Sequence, residues 1–441
     1  MKYKKSMYTR ILKIDDDFWM VHNLSSGSEC ILDSQELKIL NNCSTPQEDS
    51  KELLCQLYEM GIIVNDKVDE IACLELERKI SMYSFTSDEV GFVIAPTMDC
   101  NAYCFYCYEN ETRKSCYMDE RTEKALVEYI KNIALGKKRM YISWFGGEPL
   151  LCRDLIVRIS NELTRFADEN KIDYHCEITT NGYYLDKIID DIHDLRISDI
   201  QVTLDGFKEE HEKRKHFLQN DSWERIVNNI YDFSSRGIHI TLRFNFDKGN
   251  IQSIKEMVEF LIKQERWNEN ITIYFYPLEP NCIQEKLYFK EKEYEQVMHN
   301  LYTFLYNTGY YNDRKYALDF HKLSLPCYGA TLGTVAIDYK GLIYQCQHLL
   351  CHEEYSIGDV FEGVMVTEKV NSWYDGTVSD KCKKCEVLPL CQGGCVTKPK
   401  LGKNEYVCHM MKYRIKTQEQ LKVQAYMDSL LEYCLLYTSD A

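Results

Sequence analysis

The sequence has 441 residues, of which 45% are hydrophobic and 28% charged, so the chain can bury a sizeable core and form two or three domains. Its 53 basic and 69 acidic side chains give a formal net charge of -16 with no block of Lys and Arg, which argues against a nucleic-acid-binding surface. The basic N-terminus lacks the apolar segment of a signal peptide, and no later stretch approaches the roughly 18 apolar residues of a membrane span. We therefore expect a cytoplasmic protein with neither nucleic acid nor membrane as a partner.

The first 85 residues predict a small separate domain. The stretch IDDDFWMVHNLSSGSECIL is typical of strands joined by a Ser-Gly-Ser turn, and two helical stretches follow from Ser34 and from Glu48. No motif residue can be assigned in this segment from the sequence.

From Gly91 to about Pro280 the sequence alternates short apolar runs with helix-period segments, which is typical of βα units around a parallel sheet. The six strand candidates are GFVIAP from Gly91, MYISWF from Met140, HCEITT from His175, IQVTL from Ile200, ITLRFNF from Ile240 and ITIYFYP from Ile271. Two apolar stripes indicate buried helix faces, one at Ile226, Ile230 and Phe233, the other at Ile254, Met257, Val258, Leu261 and Ile262. The sequence therefore predicts an α/β fold with a partial (β/α)6 barrel of the TIM type.

The pattern changes behind the barrel. Residues 321–415 are rich in turns and cysteine, and we expect a C-terminal helix within 416–441. The last residues, YCLLYTSDA, resemble adapter-derived sequence, so we expect this tail to be artefactual and the natural C-terminus to be missing. The predicted domains are therefore 1–85, 86–320, 321–415 and 416–441.

The chain has 20 cysteines, and without a signal peptide we expect them to stay reduced and to bind metal or pack in the core. Half of them lie singly, as Cys30, Cys73 and Cys176 do, and are expected to be small buried residues. The patterned ten are Cys100, Cys104, Cys107, Cys327, Cys346, Cys382, Cys385, Cys391, Cys395 and Cys408.

The loop after the first barrel strand carries the clearest motif. Its sequence, Cys100-Asn-Ala-Tyr-Cys104-Phe-Tyr-Cys107, places three thiols at C-x3-C-x2-C spacing, close enough for one loop to surround a compact metal centre. Three ligands on a four-iron cube leave one iron open, as substrate chemistry requires. Zinc binding and simple burial are the alternatives. The position at the carboxyl end of a strand, where parallel α/β folds build their active sites, favours a catalytic centre.

This loop resembles the radical S-adenosylmethionine (SAM) superfamily, whose C-x3-C-x2-C motif follows the first barrel strand with an aromatic residue before the third cysteine, here Tyr106. The resemblance covers about residues 91–280. It implies a catalytic 4Fe–4S cluster on Cys100, Cys104 and Cys107, with SAM chelated at the open iron through its amino and carboxylate groups. It also implies reductive cleavage of SAM to methionine and a 5′-deoxyadenosyl radical, which abstracts hydrogen from the substrate. The implied electron donor is a protein such as flavodoxin or ferredoxin.

Further strand-end segments match the same family. Its GGEP motif implies backbone and acidic groups that hold the SAM amino group, and the later segments line the SAM ribose and carboxylate. Taken alone, these residues also fit plain turn chemistry, with Arg214 as a solvated surface charge. The implied SAM contacts are Tyr106, Gly146, Gly147, Glu148, Pro149, Asn181, Thr203, Asp205 and Arg214.

A second group of cysteines follows the barrel and is centred on a CxxC-x5-CxxxC block. By spacing alone this block could be a zinc ribbon or an iron–sulfur site. The pattern over residues 327–408 resembles the SPASM domain, the extension of radical SAM enzymes that modify peptides and proteins, whose best-known form holds two auxiliary 4Fe–4S clusters. The implied ligands are Cys327, Cys346 and Cys395 for the first cluster and Cys382, Cys385, Cys391 and Cys408 for the second.

The first auxiliary ligand set lacks a fourth cysteine, because none lies between Cys327 and Cys346. The alternatives are an open iron, a cluster of different nuclearity, or a further ligand such as Cys351 or Cys282. An open iron prefers soft ligands and would therefore suit a substrate thiolate and thioether formation.

The N-terminal segment resembles the small winged-helix domains with which peptide-modifying radical SAM enzymes hold a leader peptide, usually as a strand added to a sheet edge. A capping domain without a ligand is the alternative. The whole pattern resembles maturases of ribosomal peptides, such as the thioether-forming sactipeptide and ranthipeptide maturases. The implied function is hydrogen abstraction from a precursor peptide or protein and formation of a crosslink, with a thioether as one form. The general acid and base cannot be assigned.

Two other functions remain open at this point. An anaerobic sulfatase-maturing enzyme, which forms formylglycine, shares both cysteine patterns. A non-catalytic iron–sulfur protein, acting in redox relay or peptide binding, is the hypothesis from another class. The intact three-cysteine loop together with the GGEP motif favours catalysis.

Overall fold

The computed structural model describes residues 2–45, 48–82, 88–110, 112–279, 282–312, 318–323, 325, 327–371, 373, 378–397 and 406–438. The chain divides into two compact units. The terminal unit contains Met1–Tyr83, Glu291–Cys327 and Asp375–Ala441, and the barrel unit contains Ser84–Lys290 and Tyr328–Tyr374. Each unit joins segments that are far apart in sequence, whereas the four predicted domains are continuous segments and stay a prediction.

The elements are numbered in chain order over the described residues. The strands are β1 (Tyr3–Lys5), β2 (Thr9–Lys13), β3 (Phe18–Asn23), β4 (Glu29–Asp33), β5 (Ile63–Asn65), β6 (Glu89–Ile94), β7 (Arg139–Trp144), β8 (Asp173–Thr180), β9 (Ile197–Leu204), β10 (His239–Phe246), β11 (Ile271–Pro277), β12 (Thr334–Ile337), β13 (Leu342–Tyr344), β14 (Gly358–Asp359) and β15 (Gly363–Val364). The helices are α1 (Ser34–Asn41), α2 (Lys51–Glu59), α3 (Glu70–Met82), α4 (Glu120–Ala134), α5 (Arg153–Asn170), α6 (Lys208–Lys215), α7 (Ser222–Ser234), α8 (Ile251–Ile262), α9 (Glu291–Asn307), α10 (Glu368–Asn371), α11 (Asp380–Lys383), α12 (Leu388–Cys391) and α13 (Tyr406–Thr438). Over the described residues, none of these helices is long and apolar enough to cross a membrane.

Strands β6 to β11 form the parallel sheet of the barrel unit. They pair in the order β11-β10-β9-β8-β7-β6, and every pair is parallel. The six predicted strands are confirmed, and the largest offset at a strand start separates the predicted Ile200 from the observed Ile197. The chain therefore has the mixed α/β architecture of a partial barrel, with the carboxyl ends of six strands at one edge.

The barrel sheet has buried side chains that alternate along its strands, and the apolar faces of its helices are buried as well. On β10, Ile240, Leu242 and Phe244 are fully buried, while Thr241 and Arg243 between them are partly exposed. The predicted helix stripes are confirmed at Ile226, Ile230 and Phe233 of α7 and at Ile254, Met257, Val258 and Leu261 of α8. Ile262 is only partly buried and lies at the margin of its stripe.

The same sheet continues beyond β6 with strands that the sequence did not predict. Strand β12 pairs parallel to β6, with Thr334 opposite Gly91 and Ile337 opposite Ile94. Strands β13, β14 and β15 follow in antiparallel pairs. Part of the predicted auxiliary domain is therefore built onto the barrel sheet.

The terminal unit begins with a three-stranded antiparallel sheet in the order β2-β3-β4 and a two-stranded pair of β1 with β5. Asp33 ends β4 and caps α1: its carboxylate accepts from the Glu36 N–H at 2.9 Å, and the Glu36 carboxylate accepts from the Asp33 N–H at 3.0 Å. The helical stretches predicted from Ser34 and Glu48 are confirmed, the second as one 3-10 turn followed by α2. Helix α3 was not predicted.

Among the described residues of the terminal unit, two hydrophobic cores are present. The first lies between its small sheets and helices, with Val21, Leu40 and Leu57 among its buried members. The second joins distant parts of the chain. Its members are Tyr8, Leu24, Leu74, Val378, Val387, Leu388, Leu390 and Ile415, with Cys382 and Cys385 packed against them.

The single cysteines differ in burial. Cys176 on β8 is buried as predicted, and Cys30 on β4 is partly buried. Cys73 on α3 is exposed, so the prediction of burial is wrong for that residue. Its helix has a weak apolar stripe and turns this position to the surface.

Candidate metal and cofactor site

A pair of glycines at the end of β7 lies directly against the start of the cysteine loop. The Gly147 N–H donates to the Thr97 carbonyl at 3.2 Å, and the Glu148 N–H donates to the Asp99 carbonyl at 2.8 Å. A Cβ atom added to Gly146 would lie 2.4 Å from the Thr97 oxygen, and one added to Gly147 would lie 2.3 Å from the Asp99 oxygen. Gly146 also has a φ of +113°, which other residues rarely adopt. The GGEP glycines are therefore required by close backbone approach.

Two cysteines of the loop have a hydrogen-bond donor at the sulfur. These donors are the Ala102 N–H and the Asn181 side-chain amide (Nδ2 to Sγ 3.8 Å) for Cys100 and the Glu109 N–H for Cys107, whereas the Tyr106 hydroxyl beside Cys104 donates its one hydrogen to Asp205. Such groups favour thiolates, the form in which cysteine binds iron. Burial outweighs them and raises the pKa of Cys100 and of Cys107 to about 12. A bound cation would favour deprotonation of these thiols, and thiolates are the ligands of iron–sulfur clusters. Among the described residues no three Cys, His, Asp or Glu side chains are gathered closely enough to hold a metal ion, so Cys100, Cys104 and Cys107 stay a predicted ligand set.

Arg113 holds the cysteine loop from outside and was missed by sequence reasoning. Its guanidinium donates to the carbonyl oxygens of Cys100 and, at 2.6 Å, of Ala102. The same group lies over the Tyr103 ring, 3.7 Å from its centroid. An arginine that bonds two carbonyls of one loop restricts its conformation. Arg113 belongs to no motif. In the sequence, only its position shortly after the three cysteines could have indicated this role.

Behind the loop lies a buried polar network at the ends of β9 and β10. The Tyr106 hydroxyl donates to Asp205 Oδ2, and the Asn245 amide donates to the Tyr106 oxygen at 3.4 Å. Arg214 donates to Asp247 Oδ2 at 2.7 Å, and its Nε lies 4.0 Å from Asp205 Oδ2. The Arg214 side chain is only 5% exposed, so the alternative of a solvated surface charge is wrong. The structure thus brings together the predicted residues Tyr106, Asp205 and Arg214, and it adds Asn245 and Asp247 to them.

Glu148 lies inside the protein and joins the ends of β7 and β8. Its carboxylate is 0% exposed and accepts from the Thr180 hydroxyl at 2.8 Å, the Asn181 N–H at 2.9 Å and the Leu150 N–H at 3.1 Å. Burial raises the pKa of Glu148, and these hydrogen bonds oppose the rise. In this arrangement the carboxylate positions Asn181, whose side chain reaches Cys100.

Two predicted SAM contacts remain. Pro149 follows β7 at the same edge of the sheet, and Thr203 lies within a strand. Pro149 begins a buried 3-10 turn that ends at Cys152. Thr203 lies on β9 in register with Arg243 of β10. The set of SAM contacts stays a prediction.

The auxiliary cysteines are distributed over both units. Cys382, Cys385, Cys391 and Cys395 lie partly buried in the terminal unit, which also contains the exposed Cys327, while the buried Cys346 belongs to the barrel unit. The side chain of Cys408 lies outside the described residues. In the described part of the chain, no group of three or more Cys, His, Asp or Glu side chains is gathered closely enough to hold a metal ion. The auxiliary ligand sets therefore stay predictions.

The fold and the loop define the class of protein: an α/β partial barrel with the cysteine loop at the carboxyl edge of its parallel sheet. The family model of the radical SAM superfamily matches residues 94–261, which contain the cysteine loop and the GGEP motif. Residues 94–261 of the chain are therefore a radical SAM domain.

Three curated relatives are similar to this chain. The probable GTP 3′,8-cyclase of Archaeoglobus fulgidus is 29% identical over 212 residues, which are 46% of this chain and 66% of that protein. The radical SAM cyclopropyl synthase TigE of Paramaledivibacter caminithermalis is 21% identical over 442 residues, 89% of each chain. The cysteine-type anaerobic sulfatase-maturating enzyme of Clostridium novyi is 22% identical over 331 residues, 69% of this chain and 87% of that protein. The match to the cyclase thus spans just under two thirds of its length.

Among solved structures, native anSMEcpe with bound AdoMet and Cp18Cys peptide is similar in fold. Its TM-score is 0.58 at 15% sequence identity, and the match covers 77% of this chain and 99% of that one. This likeness supports the partial-barrel fold.

Proposed function

We propose that the chain is a radical SAM peptide maturase. The observation that carries this proposal is the cysteine loop, which packs on the GGEP glycines at the carboxyl edge of the sheet and has the Asn181 amide at the Cys100 sulfur. When bound, a 4Fe–4S cluster and SAM supply the radical that removes a hydrogen atom from the substrate. Cys100, Cys104 and Cys107 would hold that cluster, and Asn181 would orient the first of these ligands.

The comparisons support a peptide or protein as the substrate. The relative from Clostridium novyi matures a sulfatase, and anSMEcpe has been solved with a peptide bound. The TigE match extends over 89% of both chains and so includes the regions before and after the radical SAM domain. We infer that a precursor peptide is modified by a crosslink, with a thioether as the form that a cysteine-containing substrate favours.

Thioether formation has a simple balance. A carbon–hydrogen bond and a sulfur–hydrogen bond break, and one carbon–sulfur bond forms. One hydrogen atom leaves with 5′-deoxyadenosine, the thiol proton goes to solvent, and one electron goes to an oxidised iron–sulfur cluster. Auxiliary clusters on the seven C-terminal cysteines would accept that electron or hold the peptide thiolate.

The terminal unit offers an edge for a leader peptide. Strand β4 pairs only with β3 among the described residues, so its outer backbone groups can bind an added strand. Side chains of both edge strands contact α13: Arg10 of β2 donates to Glu419 at 2.8 and 2.9 Å, and Glu29 at the start of β4 accepts from Lys422 at 2.5 Å. We infer that β4 is the strand that receives the leader.

Mass spectrometry of an anaerobic reaction tests this proposal. The reaction contains reconstituted enzyme, dithionite, SAM and the cysteine-containing peptide encoded beside the gene, and the control is the C104A variant. A peptide that loses two hydrogens and no longer alkylates at its thiol supports a thioether maturase. An aldehyde-reactive product supports the second candidate, formylglycine formation, which the sulfatase-maturating relative favours. An unmodified peptide alongside uncoupled SAM cleavage contradicts the choice of substrate.

A further inference from the structure

A cation on β10 lies on the same face of the sheet as the buried polar network. Arg243 and Asn245 are two residues apart on this strand, and the Arg243 Nε donates to the Asn245 side-chain oxygen at 2.9 Å. The Asn245 amide donates in turn to the Tyr106 oxygen at 3.4 Å. The opposite face of β10 has the fully buried Leu242 and Phe244. The Arg243 side chain is therefore on the face that is connected to the cysteine loop.

The guanidinium of Arg243 is held by its flat face and by its Nε atom. It lies over the Tyr276 ring, 4.0 Å from the centroid, and the Tyr276 hydroxyl donates to Glu279 at 3.2 Å. Stacking uses the face of a guanidinium and leaves its edge for hydrogen bonds. The Nη atoms of Arg243 form neither a hydrogen bond nor an ion pair among the described residues. These donors are thus oriented by the protein and remain available to a ligand.

Two other arginines of the barrel unit stack on tyrosine rings, and both have a carboxylate partner. Arg225 pairs with Asp186 at 2.6 Å, and Arg266 pairs with Asp232. Arg243 is partly buried and has no such partner in the described part of the chain. A buried charge is costly unless it is paired, and the edge of a guanidinium matches both oxygens of a carboxylate. A carboxylate is therefore the group that would complete the surroundings of Arg243.

The neighbours of Arg243 in the sheet provide no negative charge. Thr203 of β9 and Tyr274 of β11 lie opposite it in register, and both side chains are neutral. Asp247, which follows the end of β10, pairs with Arg214 at 2.7 Å. The counter-ion of Arg243 is therefore left to a bound molecule.

We propose that Arg243 binds a carboxylate of the peptide substrate, either that of an acidic side chain or that of the C-terminus. Because Asn245 connects the guanidinium to Tyr106, a peptide held at this point lies beside the cysteine loop. SAM also has a carboxylate, and its predicted contact Thr203 lies opposite Arg243, so SAM is the other source that the experiment must distinguish. The inference rests on the peptide substrate of the proposed function. It does not depend on which bond the enzyme forms.

An amide scan of the peptide tests the inference on the wild-type protein. The probe is the peptide encoded beside the gene, and each version changes one carboxylate to an amide, the C-terminal carboxylate included. Dissociation constants are measured by fluorescence anisotropy with anaerobic, reconstituted enzyme. We expect one replacement to weaken binding about tenfold or more, because hydrogen bonds to a charged group are lost. If no replacement weakens binding, the inference is overturned. If the unchanged peptide does not bind at all, the peptide substrate of the proposed function is overturned instead.

Variants of Arg243 assign the lost affinity to this side chain. R243Q should weaken binding of the unchanged peptide by the same factor as the effective amide replacement, and the two changes together should cost little more. The matched control is R266Q, which removes a stacked arginine that already has a carboxylate partner and should leave peptide binding unchanged. Where the recognised carboxylate is a side chain, R243E should regain affinity for a peptide with lysine at that position, which a merely structural role would not produce. An amide effect that persists in full in R243Q would contradict the inference.

Calorimetry with SAM distinguishes the two sources of the carboxylate. We expect the SAM affinity of R243Q to equal that of the wild type. A loss of SAM affinity in R243Q together with unchanged peptide affinity would assign Arg243 to SAM and overturn the inference.

Discussion

One methyl group added at Gly147 should disturb the cysteine loop. The new Cβ of G147A would lie 2.3 Å from the Asp99 carbonyl oxygen and 2.7 Å from that of Met98. Ordinary contact begins near 3.4 Å, so the loop must move by about 1 Å. No positive φ is recorded at Gly147, and the effect is therefore steric.

The destabilisation caused by G147A follows from the contacts that the movement of the cysteine loop disturbs. Forcing a methyl group into a packed site costs about 1–3 kcal/mol. The shift also weakens two backbone hydrogen bonds, from Gly147 to Thr97 and from Glu148 to Asp99, each worth about 0.5–1.5 kcal/mol net. The expected destabilisation is therefore about 2–6 kcal/mol, which corresponds to at least roughly 30-fold faster local exchange.

Hydrogen exchange of peptides that cover β6 and β7 measures this effect, and the iron content of reconstituted protein should fall with it. The matched control is G333A, because a Cβ at Gly333 has its nearest neighbour at 3.5 Å and no positive φ is recorded there. Exchange in G147A that equals exchange in G333A would refute the close-approach argument.

Three further predictions follow from other features of the structure. Y106F removes the hydroxyl that donates to the buried Asp205, and the unpaired carboxylate costs about 1–3 kcal/mol. The affinity for SAM, measured by calorimetry, should fall while the iron content stays unchanged. An unchanged SAM affinity would count against a role of this network in SAM binding. D33A removes the capping box with Glu36 and should destabilise α1 by about 1 kcal/mol, seen as faster exchange in α1 and not in α4; equal exchange would contradict the cap. Exposure to air should lower iron content and activity together, and full activity without reconstitution would contradict an open cluster.

The barrel strands could be predicted because each is a run of six to eight residues with a clear apolar pattern. Strands β12 to β15 could not be predicted, because they have only two to four residues each and form by pairing with β6 and with one another. Helix α3 also escaped prediction because its apolar stripe is weak and its buried positions include Arg78. Pairing and burial of this kind depend on tertiary contacts rather than on local pattern.

In the candidate site, too, some features could be predicted from the sequence and others could not. The motif identified the three cysteines and the GGEP glycines, because both have fixed spacing and fixed positions after strands. The contacts of Arg113 with the cysteine loop and of Arg214 with Asp247 were beyond the sequence, since the first depends on how the loop after β6 folds back on itself and the second joins α6 to the segment after β10. Sequence reasoning also placed residues 1–85 and 321–415 in separate domains, whereas buried residues of both segments share one core in the terminal unit.

The most direct test of the central claim is the amount of 5′-deoxyadenosine formed from SAM by reduced, reconstituted protein under anaerobic conditions. The C104A variant, with its iron content measured, serves as the control. A radical SAM enzyme should form 5′-deoxyadenosine in the wild type and none above background in C104A. Absence of 5′-deoxyadenosine from wild-type protein with verified iron and sulfide would contradict the account.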